Sequence, residues 1–262
     1  AALIRWVADH RDEYDVRVLV AAHFQIGDYP KRLAPWQSHA EALAVEYATS
    51  KGILVVWGCG NSTEYRSLPP TDAPSLLSVG GVVGGWQHPR KWELYHHSMN
   101  LTVSGKRVPD LLAPADAPGP IPEQAQYPKR PSLFKGKGTP LEDVSIPYSF
   151  DTGTSFAGPY VAGVAALCLE VNPKLSPADL RTILTETADL LPNVPAHKQG
   201  AGVVNPAKAV ERARKYVVPE RKPGMVKKVD DSQIAAHLQS DDAAGRSAAL
   251  LQLFSQPKRE KE

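Results

Sequence analysis

Whatever this chain folds into has to enclose the stretch from Gly153 to Val171, GTSFAGPYVAGVAALCLEV. From Phe156 onward, Val161, Val164, Ala165, Leu167, Cys168 and Leu169, with small residues between them, describe a helix apolar on nearly every side, and such a helix is buried. A chain of 262 residues, 42% hydrophobic and 22% charged, has the apolar material for one full core around it, with an appendage. The surrounding layers can be read as well. ILVVW at 53–57 is a continuous apolar run of strand length, entered after Gly52 stops a helix over Ala40–Tyr47. An earlier β-branched run, Val16–Val20, follows a helix with Leu3, Ile4 and Val7 on one face, and a further short strand is expected at Leu76–Val83. Continuous apolar strands between helices predict a parallel sheet covered on both faces, hence an α/β protein.

Punctuation sets the organisation. The stretch Ala113–Pro147 is dense in proline and polar residues and is expected to run as surface loop with little regular structure. Asn172-Pro173 ends the apolar helix. Ser176-Pro177-Ala178-Asp179 then opens another, with a capping serine, proline at the first helical position and a carboxylate in the first turn, and with Leu180, Ile183 and Leu184 as its core face. A short helix, Ala207–Ala213, closes the domain, giving one unit over 1–213 and a charged tail over 214–262. The tail holds one helical pattern, IAAHLQSDDAAGRSAALLQLF, readable either as an amphipathic helix packed back on the domain or as a single helical-repeat unit. A net charge of +2 gives no electrostatic reason for a nucleic-acid or anionic-membrane partner, and no uninterrupted apolar run approaches bilayer length. Two cysteines, Cys59 and Cys168, both in apolar segments, read as buried free thiols rather than as a disulfide framework.

Chemistry concentrates at Gly153-Thr154-Ser155-Phe156-Ala157-Gly158-Pro159. Ser155 stands just before a buried small-residue helix, where backbone N–H groups and the positive end of the helix dipole stabilise developing negative charge. An ordinary capping residue explains Ser155 alone but not the G-T-S-x-A-x-P pattern followed by Val161-Ala162-Gly163. Here the sequence resembles the subtilases, the subtilisin-like serine proteases, whose nucleophile motif it matches. Four more segments are similar to that family in the same order: Gly58-Cys59-Gly60-Asn61 after the ILVVW strand, Val108-Pro109-Asp110-Leu111-Leu112-Ala113-Pro114, Leu184–Ala188, and Gly200-Ala201-Gly202-Val203-Val204-Asn205.

The resemblance implies a three-layer subtilisin-like fold, a mostly parallel sheet between helices, with the N-terminal part of the domain missing. It also implies acyl transfer with Ser155 as nucleophile, and an oxyanion held by the Asn61 carboxamide and the Ser155 backbone N–H. Gly58, Cys59 and Gly60, together with Ala22 and His23, are then expected along a peptide or protein substrate. The family's catalytic aspartate and its histidine, in a His-Gly-Thr-like context, would precede Ala1, upstream in the same polypeptide or on a partner fragment. None of the eight histidines is followed by Gly-Thr, and His23, His96 and His97 read as solvated or structural. Ala22-His23-Phe24 departs from the Ser-Leu-Gly usual at the family's substrate edge. Calcium is common among subtilases, but no cluster of oxygen ligands stands alone in this chain. Asp151-Thr152-Gly153 also matches the pepsin-like aspartic-protease signature, which requires a second copy and an almost entirely β fold. The readings left are a serine endopeptidase completed by residues outside this chain and a non-catalytic scaffold that binds peptide or protein.

Overall fold

The computed structural model describes residues 1–21, 36, 39–62, 67, 69–84, 92–102, 104–120 and 148–220. Two helices, α1 (Ala2–Asp9) and α2 (Arg11–Tyr14), lead into strand β1 (Val18–Ala21). Helix α3 (Ala40–Ser50) then precedes β2 (Leu54–Gly58) and β3 (Leu77–Val83). A short β4 (Glu93–Leu94) and β5 (Leu111–Pro114) complete the main sheet. β1 runs parallel to β2, β2 parallel to β3, and β3 parallel to β5, while β4 joins the end of β3 antiparallel. The strand expected at Val16–Val20 begins two residues later because Val16 N–H is taken by the carbonyl of Arg11, closing the preceding turn.

The sheet separates two apolar layers, which is why ILVVW shows no alternation. Leu54 and Val56 face helices α4 (Thr154–Val171), α5 (Pro177–Glu186) and α7 (Pro206–Lys215), where Val161, Ala165, Ile183 and Leu184 are buried. Val55 and Trp57 face Ile4, Ala8, Val45 and Ala48 of α1 and α3 on the opposite side. Gly200–Val204 follows α6 (Ala196–Gln199) and lies alongside β5: Leu112 N–H donates to Gly202 O at 2.7 Å, and Val204 N–H to Leu112 O at 2.8 Å.

Three expectations change. Asp116–Pro120 (β6) pairs antiparallel with Tyr148–Thr152 (β7), so part of the proline-rich stretch is a ladder rather than loop. Pro118 and Pro120 lie two apart and share one orientation, which leaves Ala117 and Gly119 to donate to the partner strand. Helix α4 is enclosed on one face only, with Tyr160 at 43% and Leu167 at 47% exposure; no layer among the described residues covers that side. Its 18 residues, with mean hydropathy 1.3, also match the length and composition of a membrane span, which no apolar run was expected to reach; the packing on β1, β2, β3 and β5 makes it a core helix. The tail's helical pattern and most of 214–262 lie outside the described residues.

Candidate active site

Two elements converge here. At the C-terminal end of β2, Gly58, Cys59 and Gly60 carry the chain to Asn61, which is exposed. At the N-terminus of α4, Gly153 is the N-cap and Thr154 and Ser155 are the first two helical residues. The ends are joined by an interlocked set of hydrogen bonds. Asn61 Oδ1 accepts from Thr154 N–H at 2.8 Å and from the Thr154 hydroxyl at 2.9 Å. Thr154 Oγ1 in turn accepts from Gly60 N–H at 3.2 Å. With its oxygen held on both bonds, the Asn61 carboxamide has its Nδ2 group left to donate.

Glycine is required on both sides of this junction by close approach. A Cβ on Gly58 would stand 2.8 Å from both the carbonyl oxygen and the hydroxyl of Thr154, and one on Gly153 would stand 3.2 Å from Asn61 Nδ2. The helix start is further positioned from the sheet, since Gly153 N–H donates to Ala115 O at 2.8 Å. Pro159 lies inside the helix and has no N–H for the Ser155 carbonyl one turn back, so the first turn is held from outside as much as by its own ladder.

Ser155 is partly buried and adjacent to the residue that clasps Asn61, so the expected nucleophile and oxyanion donor belong to one local structure. Cys59 is fully enclosed. Its N–H donates to Val79 O at 2.8 Å, and burial pushes its thiol up to about 12, so what it can offer a groove is backbone rather than a reactive sulfur. Both cysteines are free and buried. Ala22 and His23 lie outside the described residues. Thr154 was missed as a contributor, although its place inside G-T-S was the available signal.

Among the described residues no histidine is hydrogen-bonded to Ser155. His39 bonds instead to Asp72 at the start of α3, and His96 and His97 form a ring cluster with Tyr95. Asp151 is exposed and accepts from its own neighbour, Thr152 N–H, at 2.8 Å. No group of three or more His, Cys, Asp or Glu able to hold a metal ion occurs among the described residues.

Comparison with known proteins identifies the family. Serine protease AprX of Bacillus subtilis (strain 168) is 26% identical over 211 residues, covering 79% of this chain and 46% of AprX. M-protease of Shouchella clausii is 30% identical over 162 residues, covering 62% of this chain and 34% of that protein. The chain therefore spans less than half the length of these curated relatives. Fervidolysin from Fervidobacterium pennivorans, described as a keratinolytic enzyme related to subtilisin, shares the fold with a TM-score of 0.57 at 21% identity, over 79% of this chain and 28% of that one. The model of the subtilase family matches residues 3–202, taking in the β2 end, the start of α4 and the sheet between them, and on that span the chain belongs to the subtilase family.

Proposed function

We propose that this chain is the nucleophile-bearing part of a serine endopeptidase. The observation that carries the reading is the clasp between Thr154 and Asn61, which holds an amide at the helix N-terminus where Ser155 is the next residue. In this reading Ser155 Oγ attacks the scissile carbonyl carbon while its proton passes to a histidine base supplied from outside this chain. The carbonyl oxygen, now negative, takes hydrogen bonds from Asn61 Nδ2 and Ser155 N–H. As the C–N bond breaks, the histidine returns the proton to the leaving amine. Water then hydrolyses the acyl-serine by the same route and restores the hydroxyl. An aspartate, also from outside this chain, orients the histidine. Gly58, Cys59 and Gly60 would border the substrate with backbone atoms.

Labelling of the complete polypeptide with a fluorophosphonate tests this, with the adduct expected on Ser155 and lost in Ser155→Ala. If a sibling subtilase labels under the same conditions and Ser155 does not, the endopeptidase reading fails. Peptide binding without turnover would then favour the scaffold.

A further inference from the structure

One sulfur atom lies against the strand end that carries Asn61. Gly60, with φ +102°, has room for no side chain: a Cβ there would stand 2.5 Å from Met99 Sδ, 3.2 Å from its Cε and 3.3 Å from its Cγ. The thioether therefore rests directly on the Gly60 backbone, an approach that only glycine permits.

The strip that delivers Met99 is fastened on both sides. It follows β4 through a turn in which Ser98 N–H donates to Tyr95 O at 2.9 Å. Ser98 then pairs with Asn61 in an isolated antiparallel bridge, and Ser98 Oγ accepts from Gly81 N–H at 2.9 Å. Gly60 is held at its carbonyl by Met99 N–H at 3.2 Å, at its N–H by Thr154 Oγ1, and across its Cα by the Met99 side chain. A change in the bulk or polarity of that side chain acts on the residue next to the carboxamide.

Two sulfurs flank the site, and their chemistry differs. Cys59 is fully enclosed and keeps its proton, so it lacks the thiolate that oxidants attack. A thioether needs no deprotonation to react. Met99 is partly exposed and its neighbour Asn100 is exposed, which leaves this sulfur open to a small oxidant.

We propose that Met99 is a positioning residue for the Asn61 carboxamide and a reversible modification site, at which oxidation by a hydroperoxide lowers turnover at Ser155. The thioether sulfur gives an electron pair to one peroxide oxygen and the O–O bond breaks. That oxygen stays on sulfur as the sulfoxide, while the other takes a proton and leaves as water, or as an alcohol from an organic hydroperoxide. Sulfur is oxidised by two electrons and the peroxide is reduced by two. A methionine sulfoxide reductase removes the oxygen as water while two thiols become a disulfide. The added oxygen is polar and sits on an atom with no clearance from Gly60, so Gly60 shifts and carries Asn61 with it. The effect on turnover rests on the endopeptidase reading; the oxidation and its effect on the fold do not.

The test treats the complete polypeptide with graded hydrogen peroxide and maps the sulfoxide at Met99, while kcat and KM for a peptide are followed at a temperature where circular dichroism shows the oxidised protein folded. Loss of kcat should track the Met99 sulfoxide and reach up to about 10²-fold, the cost of misplacing a catalytic group by about 1 Å. KM should stay nearly level, because the amide bonds the oxyanion only in the transition state. Reductase with a dithiol should restore the rate. Met99→Leu keeps the volume without the sulfur, and its rate, whatever the starting value, should not respond to peroxide. Met225→Leu, at the other methionine, should lose rate as the parent does. A Met99 that stays reduced until the protein unfolds overturns the proposal, as does full conversion with kcat unchanged, or a Met99→Leu enzyme that loses rate like the parent. Should Met99→Leu fail to fold, the parent's peroxide series decides by itself. If the untreated protein neither labels at Ser155 nor turns over, the endopeptidase reading fails separately and urea midpoints are read instead. A midpoint that falls on oxidation and recovers with the reductase keeps Met99 as the sensitive site, and an unchanged midpoint removes it.

Discussion

The Thr154 hydroxyl makes two bonds at once, donating to Asn61 Oδ1 and accepting from Gly60 N–H, in a position only 2% exposed. Thr154→Val keeps the shape and removes both, leaving a backbone N–H without its partner. A loss of about 1–3 kcal/mol is expected, read from the denaturant midpoint, together with slower labelling of Ser155 in the complete polypeptide. Asn61→Ala takes the acceptor away from the same buried Thr154 N–H and hydroxyl, so a comparable loss of about 1–3 kcal/mol is expected. Turnover of the complete enzyme should fall further than that loss explains, by about 10²–10³, the size known for the equivalent amide of subtilisin and carried over from it. A Thr154→Val variant as slow as Asn61→Ala would assign Asn61 a purely structural role. Ser155 and Asn61 could be picked out in the sequence because each stands in a motif with its own chemistry. The clasp between Asn61 and Thr154 could not, since a hydroxyl at a helix start reads as a local cap, and only the folded chain brings residues 93 positions apart into contact.

Helix α5 shows how much an element can announce beforehand. Ser176, Pro177 and Asp179 predicted its start, and the capping box forms: Ser176 Oγ accepts from Asp179 N–H at 3.2 Å, while Asp179 Oδ2 accepts from Ser176 N–H at 2.9 Å. Asp179 Oδ1 also accepts from the Tyr216 hydroxyl at 3.1 Å, which ties this start to the end of α7. Ser176→Ala should therefore cost about 1 kcal/mol, as an ordinary cap does, and Asp179→Ala more, because it strips both a cap and an inter-helix bond. Urea midpoints compare the two; equal losses would mean that the Tyr216 contact contributes nothing. The β6–β7 ladder was illegible for the opposite reason. Its strands lie far apart in the chain and one carries two prolines, so no short window shows a period of two. The enclosure of α4 was overread, because composition reveals how apolar a helix is and not which of its faces finds a neighbour.

Across the whole molecule, the buried titrating groups set an alkaline stability profile. Lys106 holds its proton only to about 8, against 10.5 when exposed. Between those values the unfolded chain binds the extra proton, so this group makes stability rise with pH. Cys59 and Cys168 are pushed by burial to about 12 and about 11 from 9.0, so the native state keeps protons that the unfolded chain releases. Their contribution is level below about 9 and declines above it. Urea midpoints should climb modestly from about pH 8 and turn down beyond about pH 9, with the climb absent in Lys106→Met; a climb that persists there would exclude Lys106 as its source. Both thiols should also resist iodoacetamide until the chain unfolds, with labelling following the loss of circular dichroism. The parallel sheet and its two apolar layers, which set these burials, were legible from the apolar runs between helices, above all 53–57, because a strand apolar at every position needs cover on both sides. The arrangement at Asn61 has one further effect. Among the described residues, the groups that hold its carboxamide are those of Thr154, itself held by Gly60, so the amide takes up its orientation as the polypeptide matures rather than at each encounter with a ligand. A receptor for negative charge that is rigid beforehand leaves later arrivals only the task of moving protons.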